Sequence, residues 1–133
     1  MIYFLGSILA ITSIIDFYTK RIPDGITLLG TLIAINWHLY YGDITLCVSG
    51  LTTGILTVWL MNQLKLQTVG GGDCKLIGLI GACFGQKVVL FTIIVAWILF
   101  QIISLILRKG KSIAYAPFIT IAFSGVVVWL NVI

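Results

Sequence analysis

The chain is a succession of long apolar runs separated by short polar breaks. The runs cover residues 2–18, 26–41, 44–64, 75–84, 88–107 and 113–133. Four of them approach or reach the roughly 17 to 25 residues that a membrane-spanning helix needs, whereas 26–41 is slightly short and 75–84 is much shorter. The pattern predicts one all-α domain over residues 1–133, with six transmembrane helices.

The fourth run is too short to cross a bilayer without the residues before it. It would cover only roughly 15 Å of a hydrocarbon core about 30 Å thick. Residues from Val69 onward, Asp73 among them, are therefore expected below the membrane surface. Gly70, Gly71 and Gly72 would each cost a helix about 1 kcal/mol relative to Ala, which predicts an unwound segment before a helix that Asp73 caps. Bare backbone there would let an extended peptide approach closely.

Composition supports an integral membrane protein. Hydrophobic residues make up 60% of the chain and charged residues 9%, and the mean hydropathy is +1.17. These values exclude soluble globular, disordered, coiled-coil and disulfide-scaffold classes. Cys47, Cys74 and Cys83 form no C-x-x-C pair, so they are interpreted as small apolar side chains and no metal site is expected. The first run follows Met1 without a basic segment and is expected to remain as a span.

Positive charge is distributed unevenly over the predicted loops. All basic residues except Lys87 fall on one side of the predicted membrane: Lys20, Arg21, Lys65, Lys75, Arg108, Lys109 and Lys111. Cytoplasmic loops are rich in Lys and Arg, so this side is expected to face the cytoplasm, with both termini outside. Every basic residue lies beside an apolar run, which leaves no basic surface for nucleic acid.

Two carboxylates, Asp16 and Asp73, lie at the cytoplasmic ends of predicted helices, where a charge is costly and is usually functional. Singly, each could snorkel or pair with a nearby Lys or Arg. Together, two neighbouring carboxylates can share one proton, and peptide hydrolysis can use one to deprotonate water and the other to protonate the amide. Ser/His/Asp chemistry is disfavoured because His38, interpreted as an interfacial residue, lies at the opposite end of its helix. The first helix is expected to end against the start of the fourth.

Five residues separate Asp16 from Ile22-Pro23, and Gly70-x-Gly72-Asp73-x-Lys75-Leu76 follows later in the chain. This arrangement resembles the type IV prepilin peptidases and the similar archaeal preflagellin peptidases. The resemblance covers essentially the whole chain. It implies an intramembrane aspartyl protease that removes the basic leader of prepilin or pseudopilin precursors at the cytoplasmic face of a prokaryotic inner membrane. It also implies that Asp16 and Asp73 are catalytic and that the substrate meets Gly70, Gly71, Gly72, Lys75 and Pro117.

Two departures from the family pattern change these expectations. Long members carry a cytosolic insertion whose cysteine pairs bind zinc and are linked to N-methylation of the new pilin terminus. Here the loop between the first two helices is short and contains no cysteine, so we expect neither methyltransferase activity nor a cofactor. The element that opens the last helix is Ala114-Tyr115-Ala116-Pro117-Phe118, which lacks one Pro and one Gly and is expected to alter substrate fit. Asp24 is interpreted as a turn residue or helix cap.

Two other functions stay open at this point. Asp16 and Asp73 could form the relay of a small transporter or proton-coupled channel, or the chain could be an inactive scaffold for pilus-like assembly. The oligomeric state also stays open. Gly50 and Gly54 form a small-xxx-small pattern that serves either internal helix packing or self-association, and we favour internal packing.

Overall fold

A computed structural model describes residues 2–19, 21–65, 70–107 and 116–132, and this part of the chain contains six helices and no strand. The helices are α1 (Ile2–Thr19), α2 (Asp24–Tyr41), α3 (Ile44–Gln63), α4 (Gly71–Phe84), α5 (Gln86–Leu107) and α6 (Ala116–Val132). The predicted all-α class is therefore confirmed for the described residues. Val69, Lys20 and the basic loop from Arg108 to Lys111 lie outside them, as do Ala114 and Tyr115.

The start of α4 corrects the prediction of an unwound glycine segment. Gly70 is the N-cap, but Gly71 and Gly72 are already helical, and Asp73 lies within the first turn rather than at the cap. At Gly72 the surroundings require a small residue. A Cβ on Gly72 would lie 3.0 Å from the Cβ of Ile22 in the α1–α2 connection. The intrinsic helix cost of glycine is thus outweighed by tertiary contact.

Helix α4 lies at the centre of the fold. Every residue from Leu76 to Cys83 is buried, and the helix packs against α2, α3 and α5. A helix that is hydrophobic all round is typically buried in a protein core or exposed to lipid. The buried positions of the neighbouring helices cover α4 and form one core with it.

The contact between α3 and α4 is made by backbone atoms. A Cβ on Gly50 would overlap the carbonyl oxygen of Gly81, and a Cβ on Gly81 would overlap the carbonyl oxygen of Gly50. One turn along α3, a Cβ on Gly54 would lie 3.2 Å from the carbonyl oxygen of Ile77. Small residues allow helices to approach this closely. The predicted use of Gly50 and Gly54 for internal packing is confirmed.

The outer surfaces of the other helices are strongly apolar. Large exposed side chains such as Phe17, Leu28, Trp59 and Leu105 point away from the core, which suits contact with lipid rather than with water. Two helices, Ile44–Gln63 and Gln86–Leu107, are long and apolar enough to cross a membrane. Shorter apolar helices occupy Tyr3–Thr19 and Ala116–Leu130.

The end of α2 that is remote from Asp24 packs against the end of α4. His38 is buried there, and its Nε2 lies 3.2 Å from the carbonyl oxygen of Cys83. Its location at the membrane interface stays a prediction. Helix α2 then ends at Gly42, whose φ of 84° is the left-handed conformation typical of helix ends. Cys47 and Cys83 are buried and free, in agreement with their interpretation as small apolar side chains.

Replacement of Gly50 by Ala is expected to destabilise the protein. The new methyl group would meet backbone atoms of α4, which cannot rotate away, so α3 and α4 must separate. Overpacking of this kind costs about 1–3 kcal/mol. Equilibrium unfolding in detergent micelles measures the effect. Gly6→Ala in α1 is the matched control because a Cβ there has no neighbour within 4 Å; equal stability of the two variants would contradict the close backbone contact.

Candidate active site

A pocket of about 710 Å³ opens where α1 ends and α2 and α4 begin. Its walls are helix ends and the α1–α2 connection, so backbone and short side chains make up much of its lining. The described residues that line it are Ile15, Asp16, Thr19, Arg21, Ile22, Pro23, Asp24, Gly70, Gly71, Gly72 and Asp73. The structure therefore brings both predicted catalytic residues to one pocket, at the predicted meeting of the first and fourth helices.

Asp16 reaches the pocket from the end of α1 and is only 6% exposed. Its Oδ2 is buried and accepts no hydrogen bond from any described residue. The wall beside it is held by Thr19, whose Oγ1 lies 2.7 Å from the carbonyl oxygen of Ile15 and 3.2 Å from that of Arg21. These contacts tie the last turn of α1 to the chain that lines the pocket.

Asp73 reaches the same pocket from the first turn of α4. Its Oδ1 is likewise buried, without a hydrogen-bond partner among the described residues. The negative charge of Asp16 acts on the Asp73 carboxyl group, so the two groups form an interacting pair. Two carboxylates in such proximity resist simultaneous ionisation, and one proton shared between them relieves the repulsion. The pair can accept one proton and donate another, which is the requirement for general acid and base catalysis.

The glycines form an accessible edge of the pocket. Gly70 and Gly71 are exposed, and a Cβ on Gly71 would meet nothing within 4 Å. Gly72 differs because it packs against Ile22, so it holds the α1–α2 connection close to α4. A peptide could therefore approach the α4 backbone at Gly70 and Gly71, while Gly72 maintains the wall.

Two other residues with a predicted substrate role, Lys75 and Pro117, are not among the described residues that line this pocket. Lys75 Nζ lies 2.7 Å from Asp24 Oδ1, and the two side chains are 51% and 73% exposed. Pro117 is half-buried in the first turn of α6, next to Phe118, whose ring packs edge-on against Phe100. Their predicted role in substrate binding stays a prediction.

Sequence reasoning missed part of the lining. From the sequence, Arg21 is interpreted as a topology signal and as a nearby charge that could pair with an aspartate, and Asp24 as a turn residue or helix cap. The N-cap of α2 is in fact Pro23, and Asp24 is the first helical residue. The sequence signal for these two residues is their position in the chain. The segment from Arg21 to Asp24 follows shortly after the helix that contains Asp16, so the chain must turn back beside the end of that helix.

The described residues contain no group of three or more His, Cys, Asp or Glu side chains that could hold a metal ion. What the pocket offers is a pair of carboxyl groups with glycine backbone beside them. Such a set can activate water and protonate a leaving group.

Comparisons with known proteins agree with this arrangement. The family model described as "Type IV leader peptidase family" matches residues 3–106. A prepilin leader peptidase/N-methyltransferase from Pseudomonas putida is 29% identical over 136 residues, which cover 92% of this chain and 47% of that protein. A protein of the same name from Neisseria gonorrhoeae is 29% identical over 127 residues, covering 89% and 44%. The chain thus spans about half the length of these relatives. The search of solved structures gave no significant match.

Proposed function

Because the chain belongs to the type IV leader peptidase family, we propose that it is an intramembrane aspartic endopeptidase that removes the short basic leader of prepilin-like precursors. The observation that carries this proposal is the meeting of Asp16 and Asp73 in one pocket, each with a buried oxygen that no described residue satisfies. Buried polar atoms are normally hydrogen-bonded. Asp16 and Asp73 are both exceptions and line the same open pocket. This arrangement suits a site in which water and a bound peptide supply the hydrogen bonds.

The proposed reaction needs only these two carboxyl groups and water. One carboxylate deprotonates a water molecule, which attacks the carbonyl carbon of the scissile peptide bond. The other carboxyl group donates its proton to the leaving nitrogen as the C–N bond breaks. The net reaction consumes one water and forms no covalent enzyme intermediate. The exposed backbone of Gly70 and Gly71 would receive the extended peptide beside the pair.

We further propose that all six helices lie in the prokaryotic inner membrane, with both termini outside and the pocket at the cytoplasmic face. Arg21, Lys65 and Lys75 belong to the pocket end of their helices, whereas Lys87 belongs to the opposite end. This distribution follows the positive-inside rule. The described lining residues include three acidic side chains, Asp16, Asp24 and Asp73, and one basic side chain, Arg21. This excess of negative charge favours binding of a basic leader.

Substitution of either member of the pair is expected to abolish cleavage. Asp16→Asn and Asp73→Asn each keep side-chain size but remove a group that must exchange a proton, so the cleavage rate should fall by about 10²- to 10⁴-fold. Leader removal is measured with purified protein and a pilin-like precursor in detergent or proteoliposomes. Asp43→Asn is the matched control because Asp43 is exposed at the N-cap of α3, at the opposite end of the helices.

The same variants test the other functions. Precursor cleaved equally well by wild type and by both pair variants would contradict the protease proposal. Ion flux into proteoliposomes that is lost in Asp16→Asn and Asp73→Asn would favour a transporter or channel. Assembly of filaments without any precursor cleavage by the wild type would favour a scaffold. The last two outcomes each distinguish the protease from one alternative.

Gly72 at the start of α4 is expected to be sensitive to substitution. In Gly72→Ala the methyl group would lie 3.0 Å from the Cβ of Ile22, so the α1–α2 connection must shift relative to Asp16 and Asp73. This shift is expected to lower kcat/KM by about tenfold to 10²-fold. Gly6→Ala in α1 is the matched control because a Cβ there has no neighbour within 4 Å and Gly6 does not line the pocket. Equal losses in the two variants would show that the wall at Ile22 has no part in the reaction.

We propose that this chain removes leaders without methylating the product, although the relatives that it matches are named as N-methyltransferases as well. The support is the α1–α2 connection, residues 20–23, which is short and contains no cysteine. Mass spectrometry of the cleaved precursor, produced in cells that express this chain as their sole leader peptidase, is expected to find a free amino terminus. A methylated terminus that requires active chain would overturn the proposal.

A further inference from the structure

Asp24 is the most exposed of the three carboxylates that line the pocket. It is the first residue of α2, and its side chain is 73% exposed. Asp16, by contrast, is buried, and Asp73 is half-buried. A flexible side chain of a bound peptide can therefore reach Asp24 at the edge of the pocket, apart from the Asp16–Asp73 pair.

The charges of the other lining residues balance without Asp24. Asp16 and Asp73 together carry one negative charge when they share a proton, and Arg21 carries one positive charge. Among the described lining residues, Asp24 therefore supplies the negative charge that remains. A cation that enters the pocket is attracted to this carboxylate, because the Asp16–Asp73 pair and Arg21 offset each other.

Lys75 pairs with Asp24 from beside the pocket rather than from within it. Its Nζ lies 2.7 Å from Asp24 Oδ1, but Lys75 is not among the described residues that line the pocket. It lines instead an apolar cavity of about 320 Å³ between α2, α3 and α4, which Asp24 also borders. Lys75 follows Asp73 by two positions on α4, and residues at this spacing do not share a helix face. The ion pair therefore leaves the pocket itself open.

The ion pair does not prevent Asp24 from binding a second cation. The two side chains are 51% and 73% exposed, and ion pairs this exposed are weak because water solvates both charges. A carboxylate also has two oxygens and can accept hydrogen bonds from two cations at once. A cationic side chain of a ligand can thus pair with Asp24 whether or not Lys75 leaves.

We infer that Asp24 selects the substrate by pairing with a basic side chain of the leader. This inference rests on the proposed peptidase function, in which Asp16 and Asp73 must bind water and exchange protons. A leader cation held by either of them would block that exchange, whereas a cation held by Asp24 leaves both free. Asp24 is thus a specificity-determining residue rather than a catalytic one.

Neutralising Asp24 is expected to abolish a preference for basic leaders. Two precursors are compared, one with Lys and Arg in its leader and one in which each of these is replaced by Gln. Wild type should have a KM about fivefold lower for the basic precursor, which is the size expected for a pair of exposed charges, with little difference in kcat. In Asp24→Asn the two KM values should be equal. Asp43→Asn, at the opposite end of the helices, is the matched control and should keep the preference.

Lys75→Gln separates this role from a merely structural one. It removes the same ion pair as Asp24→Asn but leaves the Asp24 carboxylate in place, so the preference for the basic precursor should persist. If Asp24 served only to tie α2 to α4, both variants would have the same effect. A preference for the basic precursor that survives in Asp24→Asn, or that is lost equally in Lys75→Gln, would overturn the inference.

A binding measurement separates failure of the inference from failure of the proposed function. The Kd of each fluorescently labelled precursor is measured in proteoliposomes, in an Asp16→Asn and Asp73→Asn background with and without Asp24→Asn. If wild type does not cleave the precursors, the peptidase proposal fails, and the ratio of the two Kd values still decides whether Asp24 recognises the basic leader. If wild type cleaves them but Asp24→Asn leaves this ratio unchanged, or if neither precursor binds, the inference fails alone.

Discussion

The backbone contact between Gly50 and Gly81 is the constraint on which the rest of the structure depends. It lets α3 lie against α4 with no side chain between them, so that α4 can be covered on all sides by its neighbours. Backbone that close cannot slide freely along the helix axis, because the residues on either side of Gly50 and Gly81 carry side chains. The contact therefore sets the depth of α4, and with it the depth of Asp73 beside Asp16.

Burial of two carboxyl groups is tolerated only because it is incomplete. Complete burial of an unpaired carboxylate costs far more free energy than one contact between helices contributes. Asp16 and Asp73 avoid most of this cost because each borders an open pocket. The surrounding core, with Leu76 and Ile77 fully buried one turn away from Asp73, supplies the stability. By contrast, the exposed Asp24–Lys75 pair stabilises little, since ion pairs in water contribute about 0–1 kcal/mol. The location of this ion pair between two cavities is more informative about the site than its contribution to stability.

Hydropathy predicted the six helices, and charge placed Asp16 and Asp73 at helix ends on one side. The hypothesis of a carboxylate pair then predicted that α1 ends against the start of α4, where the structure places both residues in one pocket. The sequence did not predict that Gly71 and Gly72 are helical, since propensity scales describe isolated helices and not a helix start at which Gly72 packs on Ile22. Pairing of Lys75 with Asp24 depends on how α2 and α4 are rotated about their axes. Burial of His38 depends on where α4 ends. Neither the rotation of a helix about its axis nor the residue at which α4 ends can be predicted from a local sequence pattern.

The position of the pocket also reconciles the proposed peptide hydrolysis with an apolar fold. Peptide hydrolysis consumes water, and a carboxylate pair near the middle of a bilayer would have none. Here the pair lies at helix ends, in a pocket whose edge is exposed glycine backbone, and that pocket is open to water from the end of the bundle. An apolar cavity between α2, α3 and α4 meets this pocket at Asp24. The polar and the apolar surfaces of the fold therefore lie side by side at the start of α2.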